Sequence, residues 1–494
     1  MKSHIIHTVI LFTMLSALTS CLEEKEGVII DPDDFYQNES QCISALNGCY
    51  IPLNSIYSFT FLMATEGVTD LASANNSAQY DAKLMISPAG CGCGTTVWQQ
   101  CYIGVRNANA CVYGIENSPM TDKEKAPLLA EAKVIRAFYY YILTSFFGNI
   151  PFYRDYIRTD EDLTRISSLP RMDAFETRES LIEELEGCVE DLPQKRTTDI
   201  EGNRIGAPVG WMLIAKMSMW NGEWDRALAA IDHLDAIYGD LSQYPLGDLW
   251  FSKKNTPESI LEIQHEYVAG GIDYTSNCAS ALMPHPRISG TCTYNNVDIP
   301  ELGDKATCWS PVRPTAYMRS TIMPANVQDD RRDMNMVSTW KGHDFTSTWM
   351  GPKFWCFGMY ASKDSNNYPV FRYADAVLMA AECYCETGEY EKAIARYDTV
   401  RDRAGASRYG TFKSYIRLIE EIRKERGREL FGEFQRKFDL VRWGLWYQNT
   451  LLYNSYSLVQ ENIRPCHEYY PIPDEQVRAS GGALDNNEYA KYGL

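Results

Sequence analysis

The sequence lacks the short motifs that many catalytic and metal-binding families carry. It contains no GxSxG, no HExxH, no phosphate-binding GxxxxGK[ST] loop and no GxGxxG dinucleotide fingerprint. No two cysteines are spaced as CxxC, which excludes a zinc ribbon and a thioredoxin-type motif. Histidine is scarce. Beyond position 20 the histidines are His233, His265, His285, His343 and His467. No two of them have the spacing of metal ligands on one helix. We therefore predict no catalytic residue, no cofactor and no metal ligand.

A pair of catalytic carboxylates is the one arrangement that these absences leave open. The chain has 65 acidic residues, and a glycoside hydrolase needs only two of them on facing walls of a cleft. Their spacing singles out no such pair. We interpret His265, beside Glu266, as a strand or loop histidine and not as a general base. The prediction is a protein that is not an enzyme, with a secreted hydrolase or a pure scaffold as alternatives.

Basic residues are fewer than acidic residues. Lysine and arginine number 47 against 65 acidic residues, which gives a net charge of −18 and a pI of about 5.0. Phosphate backbones and anionic lipid surfaces would be repelled by such a chain, so nucleic acid is excluded as a partner. Beyond the N-terminus no apolar run reaches the roughly 20 residues of a membrane-spanning helix. Attachment to a membrane would have to come from a lipid.

The N-terminus has the pattern of a secretory signal. Lys2 is followed by a mostly apolar run over 5–18, which is too short to cross a bilayer, and then by Leu-Thr-Ser-Cys at 18–21. That tetrapeptide resembles a bacterial lipobox, in which Cys21 is acylated and becomes the first residue of the mature protein. A plain signal peptide with a chance cysteine is the alternative. We predict a lipoprotein signal peptide over 1–20.

An acidic segment follows the lipidated cysteine. Glu23, Glu24 and Glu26 resemble the surface-export signal of Bacteroidetes lipoproteins, and they equally suit a solvated tether. We predict an acidic flexible tether over 21–34 and one domain over 35–494. Within the domain, 35–237 and 371–446 are assigned to a helical scaffold, and 66–94 and 238–370 to loop-rich, ligand-side regions.

Two segments of the chain repeat each other. Residues 211–234 and 377–400 align without gaps, and the matched pairs are Gly222 with Gly388, Trp224 with Tyr390 and Ala227 with Ala393. The pattern resembles the tetratricopeptide helix–turn–helix. The glycine would end the first helix in a left-handed cap, and the alanine would let the second helix approach the first closely. Two unrelated helical hairpins are the alternative.

Further helices flank these repeats. Apolar periodicity and breaking residues predict helices near 40–53 and over 95–116, 132–147 and 175–192. The regions 66–94 and 238–370 are irregular, with short alternating stretches such as 259–264. The second region is rich in aromatic residues, which argues against disorder. The fold class predicted is mainly α, a tetratricopeptide-like helical hairpin scaffold with long irregular loop-rich regions and a few short strands.

A dense run of charges lies between 423 and 442. We interpret it as structural, because stacked helices bury charges only in paired form. Arg426 and Glu429, three apart, are expected to pair along one helix. Asp439 and Arg442 are expected to form a buried latch between helices.

Cysteine is abundant, with 15 residues, fourteen of which remain if Cys21 is lipidated. Their pairing cannot be read from the sequence. Geometry excludes two pairs: Cys383 and Cys385 point to different faces of a predicted helix, and Cys42 and Cys49 are roughly 10 Å apart along another.

The chain resembles the SusD/RagB family in a series of segments that follow one another in order. These are 131–151, the first repeat with 258–264, 371–405, 422–443 and 470–473. The resemblance implies an α-rich fold on tetratricopeptide-like hairpins and a role at the outer-membrane surface, lipid-anchored and facing the exterior. It also implies a SusC-like TonB-dependent transporter as partner, to which a glycan or oligosaccharide is delivered. The abundant cysteines and the absence of a familiar motif in 238–370 depart from the pattern and leave the ligand class open.

Aromatic residues in the predicted loops are the features best suited to binding. A flat ring covers the apolar face of a sugar, while polar side chains meet its hydroxyls. The ligand-binding candidates are Asp70, Asn75, Asn76, Tyr80, Trp98, Tyr274, Tyr294, Asn295, Asn296, Trp309, Trp340 and Trp349. A peptide- or other-nutrient-binding member of the family, RagB-like, is the alternative to a glycan binder.

The lipobox generates the first testable prediction. Cys21→Ala removes the thiol that would be acylated, so the variant should be released from the membrane or remain unprocessed. Fractionation of cells followed by immunodetection measures this. Wild-type protein in the soluble periplasmic fraction would contradict the assignment.

Overall fold

Helices make up most of the structure, a computed structural model that describes residues 35–494 apart from 76, 269, 272, 285–292, 295–296 and 299–305. In chain order the described helices are α1 (Glu39–Ile56), α2 (Phe59–Thr65), α3 (Tyr80–Lys83), α4 (Cys93–Glu116), α5 (Asp122–Phe147), α6 (Asp160–Ser167), α7 (Ala174–Glu186), α8 (Ala207–Asn221), α9 (Trp224–Tyr238), α10 (Cys278–Leu282), α11 (Arg332–Asn335), α12 (Tyr373–Glu386), α13 (Tyr390–Arg403), α14 (Tyr415–Glu429), α15 (Arg436–Arg442), α16 (Trp446–Tyr453), α17 (Ser457–Asn462), α18 (Asp474–Ala479) and α19 (Asn487–Ala490). The predicted mainly α fold is confirmed.

The strands are short and pair in twos. They are β1 (Ala72–Ala74), β2 (Ser259–Ile263), β3 (Glu266–Tyr267), β4 (Asp273–Tyr274), β5 (Thr293–Tyr294), β6 (Val297–Asp298), β7 (Val312–Pro314), β8 (Met336–Trp340), β9 (His343–Met350) and β10 (Tyr368–Arg372). The antiparallel pairs are β1 with β7, β2 with β10, β3 with β4, β5 with β6, and β8 with β9.

The two predicted repeats are helical hairpins, α8–α9 and α12–α13. Gly222, with φ +76°, caps α8, and Gly388, with φ +82°, follows α12. Both values lie in the left-handed region, where a side chain would be strained. Ala227 of α9 and Ala393 of α13 are fully buried, as the hairpin interpretation requires.

Two helix boundaries differ from the expected ones. α5 begins at Asp122 and not near residue 132, because Thr121 and Glu124 form a capping box in which the Glu124 carboxylate accepts a 2.9 Å hydrogen bond from the Thr121 N–H. α7 ends at Glu186, before the predicted end at 192, and the chain turns at Gly187 into a 3₁₀ turn over Val189–Asp191.

The cysteines of the described residues are free thiols, and all but Cys466 are buried. Most of the buried ones lie in the main hydrophobic core, which draws residues from Cys42 to Leu484. The two excluded pairs, Cys42–Cys49 and Cys383–Cys385, are indeed unbonded. Two thiols from different helices do approach each other: the sulfurs of Cys49 in α1 and Cys111 in α4 are 3.5 Å apart.

The charged run over 423–442 is buried and paired, as expected, although the pairing differs from the prediction. Arg426 does not pair with Glu429. Its guanidinium contacts Asp375 of α12 at 2.9 Å and Asp439 of α15 at 2.8 Å. A carboxylate on a neighbouring helix can form the bidentate contact that a guanidinium favours. A carboxylate one turn away on the same helix is not oriented to do so.

Asp439 and Arg442 were expected to form a buried latch between helices. They do connect helices, but each does so through a partner on another helix. The two residues are 3.4 Å apart within α15. Arg442 binds Glu382 of α12 at 2.7 Å, while Asp439 binds Arg426 of α14. α15 is therefore tied to α12 and α14 through separate ion pairs.

The two regions predicted to be loop-rich meet in space. β1 belongs to 66–94 and β7 belongs to 238–370, and they pair with Ala72 opposite Pro314 and Ala74 opposite Val312. The first region is not an open loop, because residues 66–74 are all buried. β9 packs beside β7, so the three strands form one surface.

The hairpin geometry generates the second prediction. Ala393 shares a buried cluster with Ala381 and Cys385 of α12, so Ala393→Phe should overpack the contact and destabilise the protein by about 1–3 kcal/mol. Glu391→Ala, on the exposed face of the same helix, should leave the melting temperature nearly unchanged. Thermal denaturation of both variants measures this, and small, equal effects would contradict the assignment.

Candidate functional site

A polar cleft lies at the surface that β1, β7 and β9 form. It is lined by Asn75, Pro311, Arg313, Pro314, Arg319, Ser347, Thr348 and Ser455. We call it the β7 cleft. Asn75 directly follows β1, while Ser347 and Thr348 belong to β9. Both regions that the sequence assigned to the ligand side therefore contribute to it.

Arg313 is held in place at the wall of the cleft. Its guanidinium carbon is 3.3 Å from the centre of the Trp349 ring, which is 7% exposed. Its Nη1 donates to the carbonyl oxygen of Val312 at 3.1 Å and to that of Ser310. A planar guanidinium stacked on an indole is favourable, and the arginine is thereby fixed before any ligand arrives.

Two further features point to ligand recognition. The Oδ1 of Asn75 is buried and has no hydrogen-bond partner among the described residues, an arrangement that is rare in proteins unless a ligand or water supplies the partner. The hydroxyl of Ser455 lies 2.8 Å from that of Ser73 in β1 and brings the α16–α17 connection to the cleft.

Trp309 lies two residues before the cleft-lining Pro311 and is 50% exposed. Phe59 supports its ring edge-on, with centroids 5.2 Å apart. Its backbone N–H donates to the Ser280 carbonyl at 2.8 Å. Trp309 is thus a supported but open aromatic surface, which suits stacking against a sugar ring.

Tyr80 and Tyr274 are also exposed, at 57% and 42%. Tyr80 begins α3, five residues along the chain from Asn75. Tyr274 belongs to the β3–β4 hairpin and does not line the β7 cleft. Of the exposed candidates, Trp309 lies nearest along the chain to a residue that lines the cleft.

Two candidates are buried: Asp70, contrary to expectation, and Trp98, for which packing was as much expected as ligand contact. Asp70 is fully buried, and its carboxylate accepts from Arg436 at 2.7 Å and from the Asn449 amide at 3.2 Å. Trp98 is 4% exposed and packs edge-on against Phe147, with centroids 5.1 Å apart. The side chain of Asp70 is occupied by interior contacts, whereas Trp98 also lines a separate pocket with Tyr102 and Tyr153.

Of two more tryptophans, Trp349 is buried and Trp340 is partly buried. Trp340 packs on Trp355 with centroids 4.8 Å apart. Trp349 supports Arg313 and reaches the cleft only through that arginine. The remaining predicted residues, Cys21, Asn76, Asn295 and Asn296, lie outside the described residues, as does the side chain of Tyr294 in β5.

Sequence reasoning missed the polar lining of the cleft, namely Arg313, Arg319, Ser347, Thr348 and Ser455. Ser455 is separated from Ser73 by 382 residues, so no local pattern connects them. A usable signal was present at Pro311 and Pro314, because prolines on both sides of a short run indicate an edge strand.

Models of the SusD family match two segments of the chain. Residues 358–489 match the model described as "SusD family", and residues 56–197 match one described as "Starch-binding associating with outer membrane". Together the segments cover more than half of the chain. The chain belongs to the SusD/RagB family. In this SusD family member, Asn75 and Ser455 of the β7 cleft belong to the two matched segments, and the other lining residues belong to the stretch between them.

Relatives and solved structures agree with the family and fold. The chain is 25% identical to the SusD-like protein P25 of Formosa agariphila, with 98% of each chain covered. It superposes on surface glycan-binding protein A from Bacteroides uniformis with a TM-score of 0.71 at 21% identity, covering 92% of this chain and 100% of that one. The same protein from Bacteroides thetaiotaomicron, in complex with laminarihexaose, gives a TM-score of 0.69 at 20% identity, with 91% and 99% covered.

No helix in the described part of the chain combines the length and apolar character that crossing a membrane requires. The same residues contain no group of three or more histidine, cysteine, aspartate or glutamate side chains placed to hold a metal ion.

His265 is a buried neutral histidine and not a surface base. It follows β2 and packs edge-on against Tyr368, with ring centroids 5.4 Å apart. Neither ring nitrogen has a hydrogen-bond partner among the described residues. Burial lowers the pKa of His265 to about 4. The residue therefore remains uncharged at neutral pH and serves packing.

The buried histidine generates the third prediction. An unfolded histidine binds a proton near pH 6.5, whereas His265 resists protonation until about pH 4 in the folded protein. The unfolded state therefore binds more protons in this window, and the free energy of unfolding falls as the pH drops. His265→Phe should reduce the loss between pH 7 and pH 5 by about 2 kcal/mol.

Denaturant unfolding at both pH values measures this effect. A pH dependence of His265→Phe equal to that of the wild type would contradict the prediction.

Proposed function

We propose that this protein binds an oligosaccharide at the β7 cleft and the adjoining Trp309, and that it does so without chemical conversion. The observation that best supports this proposal is the pairing of β1 with β7, which joins the cleft-lining Asn75 and Arg313 in one surface. The family supports the proposal, as does the fold shared with a protein whose structure holds laminarihexaose.

The chemistry of the surface fits a sugar. A pyranose presents an apolar C–H face and a rim of hydroxyls. The half-exposed ring of Trp309 suits the face. The unpartnered Oδ1 of Asn75 can accept from a hydroxyl, and the Ser347 and Thr348 hydroxyls can donate or accept. Stacking with a few hydrogen bonds is sufficient for a shallow site.

The same lining supports binding without turnover. No aspartate or glutamate lines the β7 cleft, so the carboxylate pair of a glycoside hydrolase is not provided by the described residues there. The solved neighbours carry the names of glycan-binding proteins. We assign the chain a capture role.

Capture serves uptake when the protein is held at the membrane beside a transporter. The matching family model is described as associating with the outer membrane. Acylation of Cys21 would provide the anchor, and a SusC-like TonB-dependent transporter would receive the bound oligosaccharide. The described helices offer no span of their own.

The fourth prediction separates binding from stability. Trp309→Ala removes the exposed ring and should weaken glycan binding roughly ten- to a hundredfold, or about 1–3 kcal/mol, with little change in melting temperature. Trp220→Ala should do the reverse, because Trp220 packs against the core and under Arg178 at 5.0 Å.

Calorimetric titration against a panel of purified polysaccharides, including laminarihexaose, measures affinity, and chromatography of the incubated ligand tests for conversion. Unchanged binding by Trp309→Ala would remove that residue from the site. Shorter oligosaccharides appearing at enzyme-like rates would refute the capture role.

A further inference from the structure

Two buried thiols face each other where the first helix packs on the scaffold. Cys49 in α1 and Cys111 in α4 lie 62 residues apart in the sequence, yet their sulfurs are 3.5 Å apart. Both side chains are buried in the main hydrophobic core. Two packed helices therefore bring together two groups that can form one covalent bond.

The backbones of the two helices also approach each other here. The amide nitrogen of Asn107, one turn before Cys111 in α4, donates to the carbonyl oxygen of Gly48 at 3.4 Å. A side chain of α4 thus reaches the α1 backbone directly beside Cys49. A disulfide needs sulfurs roughly 2.0 Å apart, so the two sulfurs have to approach by about 1.5 Å. Rotation about the Cα–Cβ bond of each cysteine can supply that movement.

Neighbouring contacts hold both cysteines in place. The hydroxyl of Tyr139 in α5 donates to the Cys49 carbonyl at 2.6 Å. The hydroxyl of Tyr36 donates to the Cys111 sulfur at 3.9 Å, and its ring lies so close to Gly114 that a Cβ there would overlap it. Because the fold fixes both reactants, bond formation between them is effectively unimolecular.

The surroundings of Cys111 favour its thiolate. Hydrogen bonds from Cys49 and Tyr36 lower the pKa of Cys111 although the side chain is buried. Burial raises the pKa of Cys91, which lacks such donors. The thiolate is the nucleophile in thiol–disulfide exchange, so Cys111 is the member of the pair that attacks an oxidant first.

We propose that Cys49 and Cys111 form a disulfide in the exported protein. The signal predicted at the N-terminus would carry the chain into an oxidising compartment, where disulfides form and persist. The Cys111 thiolate attacks the disulfide of an oxidant, either glutathione disulfide or a protein dithiol oxidase, and Cys49 then resolves the mixed disulfide. The oxidant leaves as two thiols, having gained the two electrons and two protons that the cysteines lose.

The bond would connect the predicted lipid tether to the scaffold. α1 is the first helix after the tether over 21–34, and α4 belongs to the core. Tyr36, which precedes α1, covers the pair, so oxidation takes place before this segment docks. A pull on the anchor would then reach the core through a covalent bond as well as through packing.

Mass spectrometry of the exported full-length chain tests the assignment. Free thiols are blocked with N-ethylmaleimide in denaturant, and proteolysis without reductant should release peptides joined through Cys49 and Cys111 from most molecules. Cys49→Ala should leave Cys111 open to blocking. Cys101→Ala is the matched control, because Cys101 is also buried on α4, and it should retain the crosslink.

Equilibrium unfolding in guanidinium chloride provides a second measurement. A crosslink restricts the unfolded chain, and here it would close a loop of 62 residues. Reductant should therefore lower the unfolding midpoint of the wild type and of Cys101→Ala by roughly 0.3–0.5 M. The midpoint of Cys49→Ala should not respond to reductant.

Two results would overturn the proposal. One is blocked thiols at both Cys49 and Cys111 in the exported protein, together with a wild-type midpoint that is insensitive to reductant. The other is a crosslink from either cysteine to a different partner, such as Cys42 in α1. Neither result concerns the β7 cleft, so the proposed function depends on its own titrations.

Discussion

The structure depends on a buried ion network centred on Glu429 at the end of α14. Its carboxylate contacts Arg331 at 2.7 Å and Arg372 at 2.6 Å, and it also contacts Arg403. Burial alone would raise the pKa of Glu429, but the three arginines hold it well below its usual value. Each arginine comes from a different part of the chain, so this one carboxylate fixes their relative positions. Removal of a single partner would leave a buried charge uncompensated, which typically costs about 3–5 kcal/mol.

The network explains how a helical scaffold can carry an irregular binding face. Arg403 ends α13 of the second hairpin, whereas Arg331 and the Glu258 that binds Arg372 at 3.0 Å belong to 238–370. The long region is thus bonded to the scaffold at its base. Only its outer part, with β7 and β9, has to form the cleft, and short paired strands hold those residues more firmly than free loops would.

The features that the sequence predicted are those with local causes. The hairpins depend on spacings within a few tens of residues, so Gly222, Gly388, Ala227 and Ala393 could be assigned before the structure was known. The cleft depends on Ser455 meeting β1 across 382 residues and on Arg313 stacking over Trp349. Contacts between residues so far apart produce no periodic pattern in the sequence. Asp70 was misassigned because its polarity in a presumed loop was taken as exposure, whereas its side chain is buried. Trp98, at the start of a predicted helix, could equally be a packing residue, and its side chain is buried as well.

The buried thiols have a consequence for chemical durability. Burial raises the pKa of Cys91 to about 12 and that of Cys188 to about 11. The nucleophile in thiol–disulfide exchange is the thiolate, and at pH 7 a thiol of pKa 12 is ionised to roughly one part in 10⁵. These cysteines are also closed off from solvent. Cys91 and Cys188 therefore react slowly with oxidants and with other thiols in the folded chain, so folding itself protects these two positions from scrambled crosslinks and from covalent modification by neighbouring proteins.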